Sequence, residues 1–274
     1  MKIGIIGIGN MGSVIVHQLE PHYQILGFDK DKKRLAEHLT PVIASATIRE
    51  LVEKADVLIL AVKPQDFDGL LKEIRNCLKG KLIVTIAAGI TTGHIEKIMV
   101  NTRVVRAMPN LAAKIGESVT CISKGSFASE EDLSFVQELF YYLGSVRVID
   151  ETMMNAATAI ASSGLGYIFD FLAVNSIDPQ NVPEHQKHDI MKRLEGAAEA
   201  VGFSREDAAF LAAATTNSSL NLIKKLKIPA AELRDKVASK GGVTEAALEV
   251  IHKGGTWQEA VLAGVRRAEQ LTRR

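Results

Sequence analysis

Three glycines in the run Gly7-Ile8-Gly9-Asn10-Met11-Gly12 are spaced to hold a pyrophosphate. The apolar residues Ile3, Ile5 and Ile6 precede them, and a helix-like segment over 13–19 follows. In that setting the first glycine makes the turn, the second lets the backbone approach the phosphates, and the third lets helix and strand pack closely. Amides at the helix N-terminus then meet the negative charge. Asp29 ends the next apolar run, where a carboxylate accepts hydrogen bonds from an adenosine ribose and repels a 2′-phosphate, favouring NAD(H). Lys30, Lys32, Lys33 and Arg34 follow at once, and cations at this turn could hold the extra phosphate of NADP(H) instead. Asp29 could equally be the N-cap of a solvated helix. The reading leans to NAD(H).

Other stretches extend this chemistry. Ala61, Val62, Lys63 and Pro64 close one β-rich run, and Ala87, Ala88 and Gly89 close the next. Ligands of open α/β sheets lie outside the carboxyl ends of the strands, so small residues there leave room for a cofactor. Lys63 could face a ribose or a carboxylate, or simply solvent. Arg106-Ala107-Met108-Pro109-Asn110 ends a further strand in a Pro-Asn turn and puts Asn110 on the same edge. Far downstream, Ser239-Lys240-Gly241-Gly242-Val243-Thr244 sets two glycines between hydroxyl residues just before a new helix, a second anion cradle or an ordinary turn capped by Thr244.

The elements that must position these residues divide the chain. Strands are predicted over 23–28, 42–44, 57–62, 82–87 and 103–107, separated by amphipathic helix-length segments, with two more over 118–123 and 145–149 around a helix over 130–143. That is the pattern of a doubly wound, mainly parallel sheet, an α/β Rossmann domain over 1–150. Strand signals then cease, and an all-α domain over 151–274 is predicted. Its helices cover 153–175, 189–201, 204–226, 231–236 and 245–252, with a loop over 176–185. The dense small residues from Ala159 to Gly166 read as a close packing contact.

Composition excludes several classes. A formal charge of +1 over 274 residues argues against a nucleic-acid partner or an anionic membrane surface. No apolar run reaches the roughly 18 residues of a membrane span. Cys77 and Cys121 have neither metal nor redox spacing, and both read as buried thiols in a reducing cytoplasm. Glu184, His185 and His188 lack a third partner at a diagnostic spacing, so no metal site is expected.

Several motifs taken together carry a family resemblance. The N-terminal G-I-G-N-M-G, A-V-K-P-Q from Ala61, A-A-G-I from Ala87, R-A-M-P-N from Arg106 and L-R-D-K-V-A-S-K-G-G-V-T from Leu233 resemble pyrroline-5-carboxylate reductase in order and spacing over nearly the whole chain. The resemblance implies a Rossmann domain followed by a helical dimerisation domain, hence a homodimer or higher homo-oligomer. It also implies reduction of the cyclic imine 1-pyrroline-5-carboxylate to L-proline with NAD(P)H, a step of proline biosynthesis. By the same resemblance Ser239 and Thr244, with the amides of Gly241, Gly242, Val243 and Thr244, would bind the substrate carboxylate, and Thr244 would lie near the imine nitrogen.

The chain departs from the pattern in its substrate half. P-N-T-P reads Pro109-Asn110-Leu111-Ala112, S-G-S-G-P-A-Y reads Ala161-Ser162-Ser163-Gly164-Leu165-Gly166-Tyr167, and a usual glutamine is Ala214. The region 176–188 is longer than the family needs. A related imine acid as substrate, another small-molecule dehydrogenase such as a hydroxyacid or arogenate-type enzyme, and a non-catalytic cofactor-sensing paralogue are the alternatives.

Overall fold

The computed structural model of the chain describes residues 1–37, 42–78 and 80–272. It forms two compact units, one of Met1–Met108 with Ile122–Glu151 and one of Pro109–Cys121 with Thr152–Arg274. A single cut after Asp150 therefore misses the segment 109–121, which groups with the helical unit.

In the first unit strands and helices alternate: β1 (Lys2–Ile6), α1 (Asn10–Leu19), β2 (Gln24–Phe28), α2 (Lys32–Glu37), β3 (Val42–Ala44), α3 (Ile48–Lys54), β4 (Val57–Leu60), α4 (Pro64–Ile74), β5 (Leu82–Thr85), α5 (Thr92–Ile98) and β6 (Val104–Met108). Then come β7 (Ser118–Lys124), whose first residues belong to the other unit, α6 (Glu130–Tyr141) and β8 (Gly144–Val148). Among the described residues eight strands make one sheet in the order β3-β2-β1-β4-β5-β6-β7-β8. The pairs from β3 through β6 are parallel, with Ile3 opposite Ile25 on one side and Val57 on the other. β4, β5 and β6 are buried along their whole length, which explains their unbroken apolar runs, since helices cover both faces of a parallel sheet. Ile6, Leu58, Leu60, Phe67, Leu71 and Ile83 sit in the core on one face.

The expected doubly wound topology is present, and the strand order reverses between β1 and β4. In open α/β sheets a ligand lies at the carboxyl ends of the strands beside such a reversal.

The second unit is helical: α7 (Met154–Ala157), α8 (Gly164–Val174), α9 (Glu184–Ala200), α10 (Arg205–Leu226), α11 (Ala230–Val237), α12 (Val243–His252) and α13 (Trp257–Thr272). A 3-10 turn over Leu111–Ile115 packs with α10, where Asn221 Nδ2 and Lys225 Nζ reach Glu117 at 2.7 and 3.2 Å. The long helix predicted over 153–175 is broken by a π turn at Thr158–Ser162. The stretch Glu151–Val174 is long and apolar enough to span a membrane by length and composition, contrary to the reading of the sequence, but 78% of its apolar window is buried inside the protein. Its apolar character is that of a core helix: Leu165, Ile168, Phe169 and Leu172 are fully enclosed.

Two further corrections concern the surface. The loop predicted to His185 ends at Pro183, so His185 and His188 lie in the first turns of α9. Cys121 is buried as expected, but Cys77 is only half-buried.

Candidate functional site

In the first unit the predicted cofactor residues gather at adjacent strand ends. Gly7 follows β1 with φ +98°, where a side chain would be strained, and its amide donates to Phe28 O at 2.8 Å. Gly9 precedes α1 in extended conformation, and no side chain caps the helix. The first-turn amides of Asn10, Met11 and Gly12 are thus left to solvent or a ligand. A Cβ on Gly12 would collide with the Gly7 carbonyl, so the glycine spacing is a matter of contact and not only of flexibility. A Cβ on Gly9 would meet only Arg34 Nη1, at 3.6 Å, which leaves its face open for close approach. These features fit a dinucleotide pyrophosphate.

Asp29 is 8% exposed and fixes the loop: its Oδ2 accepts from Ile8 N at 2.7 Å and its Oδ1 from Asp31 N at 2.8 Å. Each oxygen keeps a lone pair for a ribose hydroxyl. Two of the cations beside it have local partners, Lys30 with Asp66 at 2.9 Å and Arg34 with Asp31 at 3.6 Å. Ala61 N donates to Ile6 O, which holds the end of β4 against β1. Ala61 and Val62 are half-buried, whereas Lys63 and Pro64 are exposed at the start of α4. Ala88 is exposed after β5, and Gly89 turns with φ +77°.

The strand that carries Arg106 hides a charge that the sequence reading did not use. Arg106 is 2% exposed, with Nη1 3.6 Å from Glu151 Oε1, while Nε and Nη2 have no hydrogen-bond partner. Burial pushes its pKa down and Glu151 opposes that shift. Glu151 also accepts from the amide and hydroxyl of Thr92, at the start of α5.

The second unit assembles the other predicted residues around the N-terminus of α12. Gly241 turns with φ +68°, and a Cβ on Gly242 would strike Ser239 Oγ. The amides of these two glycines are engaged, Gly241 N with Glu245 Oε2 at 2.6 Å and Gly242 N with Ser239 O at 2.9 Å. No side chain caps α12, so Val243 and Thr244 supply the first-turn amides that remain for an anion. Thr244 is 5% exposed and its hydroxyl donates to Ser163 Oγ at 2.9 Å. Ser163 ends the π turn, and α8 runs on past Gly166, where a Cβ would lie 2.5 Å from Thr244 Cγ2. The small-residue patch is therefore the packing contact that seats Thr244.

Tyr167, one turn after Ser163, is buried with no well-formed hydrogen bond to its hydroxyl, and burial drives its pKa well above the usual phenol value while the nearby Ser163 hydroxyl pulls it down. Asn110 belongs to this unit; its side chain donates to Ala161 O at 2.9 Å. Sequence reasoning also missed α13, although Thr256 and Glu259 form a capping box that marks its start. Among the described residues no group of three or more His, Cys, Asp or Glu could hold a metal ion.

Comparison with known proteins agrees with both halves. Residues 2–89 match the family model "NADP oxidoreductase coenzyme F420-dependent", and residues 189–273 match "Pyrroline-5-carboxylate reductase dimerisation". The pyrroline-5-carboxylate reductase of Aquifex aeolicus is 30% identical, covering 100% of this chain and 97% of its own. That of Arabidopsis thaliana is 31% identical, covering 99% of this chain and 95% of its own. The solved structure of a pyrroline-5-carboxylate reductase from Coxiella burnetii superposes with a TM-score of 0.66 at 27% identity, over 98% of each chain. With glycine loop, Thr244 cradle and full-length relatives in agreement, the chain belongs to the pyrroline-5-carboxylate reductase family.

Proposed function

We propose that this protein reduces 1-pyrroline-5-carboxylate to L-proline with NAD(P)H, as a cytoplasmic homodimer joined through its C-terminal helices. The observation that carries the reading is the uncapped start of α12 beside the Thr244 hydroxyl, a cradle for one carboxylate and one ring nitrogen. The family match of residues 189–273 to a dimerisation domain supports the assembly.

The roles follow from the chain's own groups. Gly7, Ile8, Gly9, Asn10, Met11 and Gly12 hold the pyrophosphate, Asp29 and Lys30 border the ribose, and Ala61, Val62, Lys63, Pro64, Ala88 and Gly89 line the nicotinamide half. When bound, NAD(P)H supplies the hydride that the imine carbon accepts. The amides of Val243 and Thr244, with Ser239, bind the carboxylate. Thr244 already gives its proton to Ser163, so toward the ring nitrogen its oxygen can only accept. That polarity suits a substrate that arrives as the iminium, N–H first. A protonated nitrogen makes the carbon the better hydride acceptor, and no carboxylate or histidine is required as an acid. Asp29 would repel a 2′-phosphate, and Lys30 and Arg34 already hold carboxylate partners, which supports NADH over NADPH.

The test is oxidation of NADH, then NADPH, by purified protein with racemic 1-pyrroline-5-carboxylate. Rapid turnover with NADH preferred is expected. Thr244→Ala should lower kcat while leaving cofactor affinity nearly unchanged. Tight cofactor binding without turnover would remove the reductase reading, and an unaltered rate in Thr244→Ala would remove Thr244 from the chemistry.

A further inference from the structure

The central helical run of the second unit changes its winding where the proposed chemistry lies. Ser163 N donates to Thr158 O at 2.9 Å, a five-residue span, and the α-helical pattern resumes with Tyr167 N on Ser163 O at 3.3 Å. Such π turns are rare and concentrate at functional sites. The turn adds a residue to the helical circuit, which sets the direction of every side chain that follows it. Ala161 O lies within the widened turn and receives Asn110 Nδ2 at 2.9 Å.

Asn110 is fixed from every side. It is 2% exposed; its amide donates to Ser118 Oγ at 3.0 Å, its Oδ1 accepts from Ala112 N at 3.1 Å, and its carbonyl accepts from Ala113 N at 3.1 Å. Ser118 Oγ is in turn 3.0 Å from Thr120 Oγ1. The side chain thus bridges the 3-10 turn and the π turn, a donor to one and an acceptor from the other. Only a short carboxamide offers both groups at that reach.

We propose that Asn110 is a positioning residue for the substrate half of the reaction. By holding Ala161 O it sets the phase of the π turn, hence the place of Ser163 Oγ, on which the Thr244 hydroxyl rests. The effect runs from Asn110 to Ala161, to Ser163 and to Thr244, all within the second unit. This role differs from the direct cofactor contact that its position after the strand predicts. It rests on the reductase reading of the Thr244 cradle.

The experiment uses the full-length protein and Asn110→Asp, which keeps the acceptor for Ala112 N but turns a second oxygen toward Ala161 O. Three quantities are read: dissociation constants of NADH and NADPH by nicotinamide fluorescence, KM and kcat for 1-pyrroline-5-carboxylate, and amide hydrogen exchange in peptides covering 158–167. The expected result is cofactor affinity within about twofold of wild type, KM raised by roughly tenfold or more, and faster exchange confined to 158–167. A purely structural role would lower the active fraction and leave KM unmoved. Weakened cofactor binding with unchanged KM and unchanged exchange would overturn the proposal, as would no change at all. Should Asn110→Asp fail to fold, Ser118→Ala loosens the same residue through its backbone and should move KM and exchange in the same direction by less; unchanged values there would also overturn it. Wild-type protein inactive on the imine would defeat the reductase reading alone, and the exchange measurement would still decide whether Asn110 holds the turn.

Discussion

Gly166→Ala tests how Thr244 is seated. A Cβ at Gly166 would lie 2.5 Å from Thr244 Cγ2 and 3.6 Å from Val237 Cγ1. Carbon atoms in contact rest at about 3.5–4.0 Å, so the threonine methyl must retreat by roughly 1 Å. Threonine is stiff at χ1 and carries its hydroxyl on the same carbon as its methyl, so the hydroxyl moves too. The 2.9 Å bond to Ser163 Oγ is then stretched toward its limit. Overpacking of this kind costs about 1–3 kcal/mol. In a protein of this size each kcal/mol lowers the thermal midpoint by roughly 2–4 °C.

The catalytic consequence is comparable in free energy to the loss of stability. A displacement of about 1 Å at a positioning group can cost on the order of 100-fold in rate. The assay is kcat/KM for 1-pyrroline-5-carboxylate together with the NADH dissociation constant and a thermal melt. The expected outcome is a fall in kcat/KM of roughly ten- to a hundredfold, a lowered midpoint and unchanged cofactor affinity. The family pattern has alanine at the matching place, and in this chain a Cβ there meets Thr244 Cγ2. Wild-type kcat/KM and midpoint in the variant would refute the view that this contact places Thr244.

Three further changes probe other parts of the molecule. Gly12→Ala drives a methyl into the Gly7 carbonyl and should abolish NAD(P)H binding in a fluorescence titration, with a lowered melting temperature. Tyr167→Phe removes a buried hydroxyl that has no well-formed hydrogen bond, so kcat and its pH profile should hold and stability should rise by up to about 1 kcal/mol; a large loss of kcat would give the phenol a part in the chemistry. Glu151→Gln strips Arg106 of its counter-charge at 2% exposure and should cost about 3–5 kcal/mol in denaturant unfolding, much of it recovered by adding Arg106→Met.

The first unit was legible because its signals are local. Glycine spacing, a strand before and a helix after fix the phosphate loop within a dozen residues, and the unbroken apolar runs of β4 and β5 reveal burial on both faces. What escaped depends on pairs far apart in sequence. Glu151 reaches Thr92 across 59 residues and Thr244 reaches Ser163 across 81, and no periodicity announces either. The π turn was hidden for another reason: residues 153–175 have helical composition throughout, and the change of winding is fixed by contacts made from outside the helix. Segment 109–121 was assigned by chain order to the sheet domain, although its Asn110, Glu117 and Ser118 find their partners within the helical unit.

The difference between a side-chain group and a backbone group changes the meaning of the departures in the substrate half. Replacement of the family's first serine by Ala161 looks like a lost hydroxyl, yet what the fold uses at that place is a carbonyl, and alanine supplies it to Asn110 as well as serine would. The hydroxyl that does meet Thr244 belongs to Ser163, where the family pattern is kept. Gly166 in place of alanine gives Thr244 room to reach it. The three residues thus act as one adjustment: a backbone acceptor fixes the turn, the retained serine receives the threonine, and the missing methyl lets them close. A substrate half altered in this way keeps the first-turn amides of Val243 and Thr244 uncapped, and the reading of an inert paralogue loses its main support.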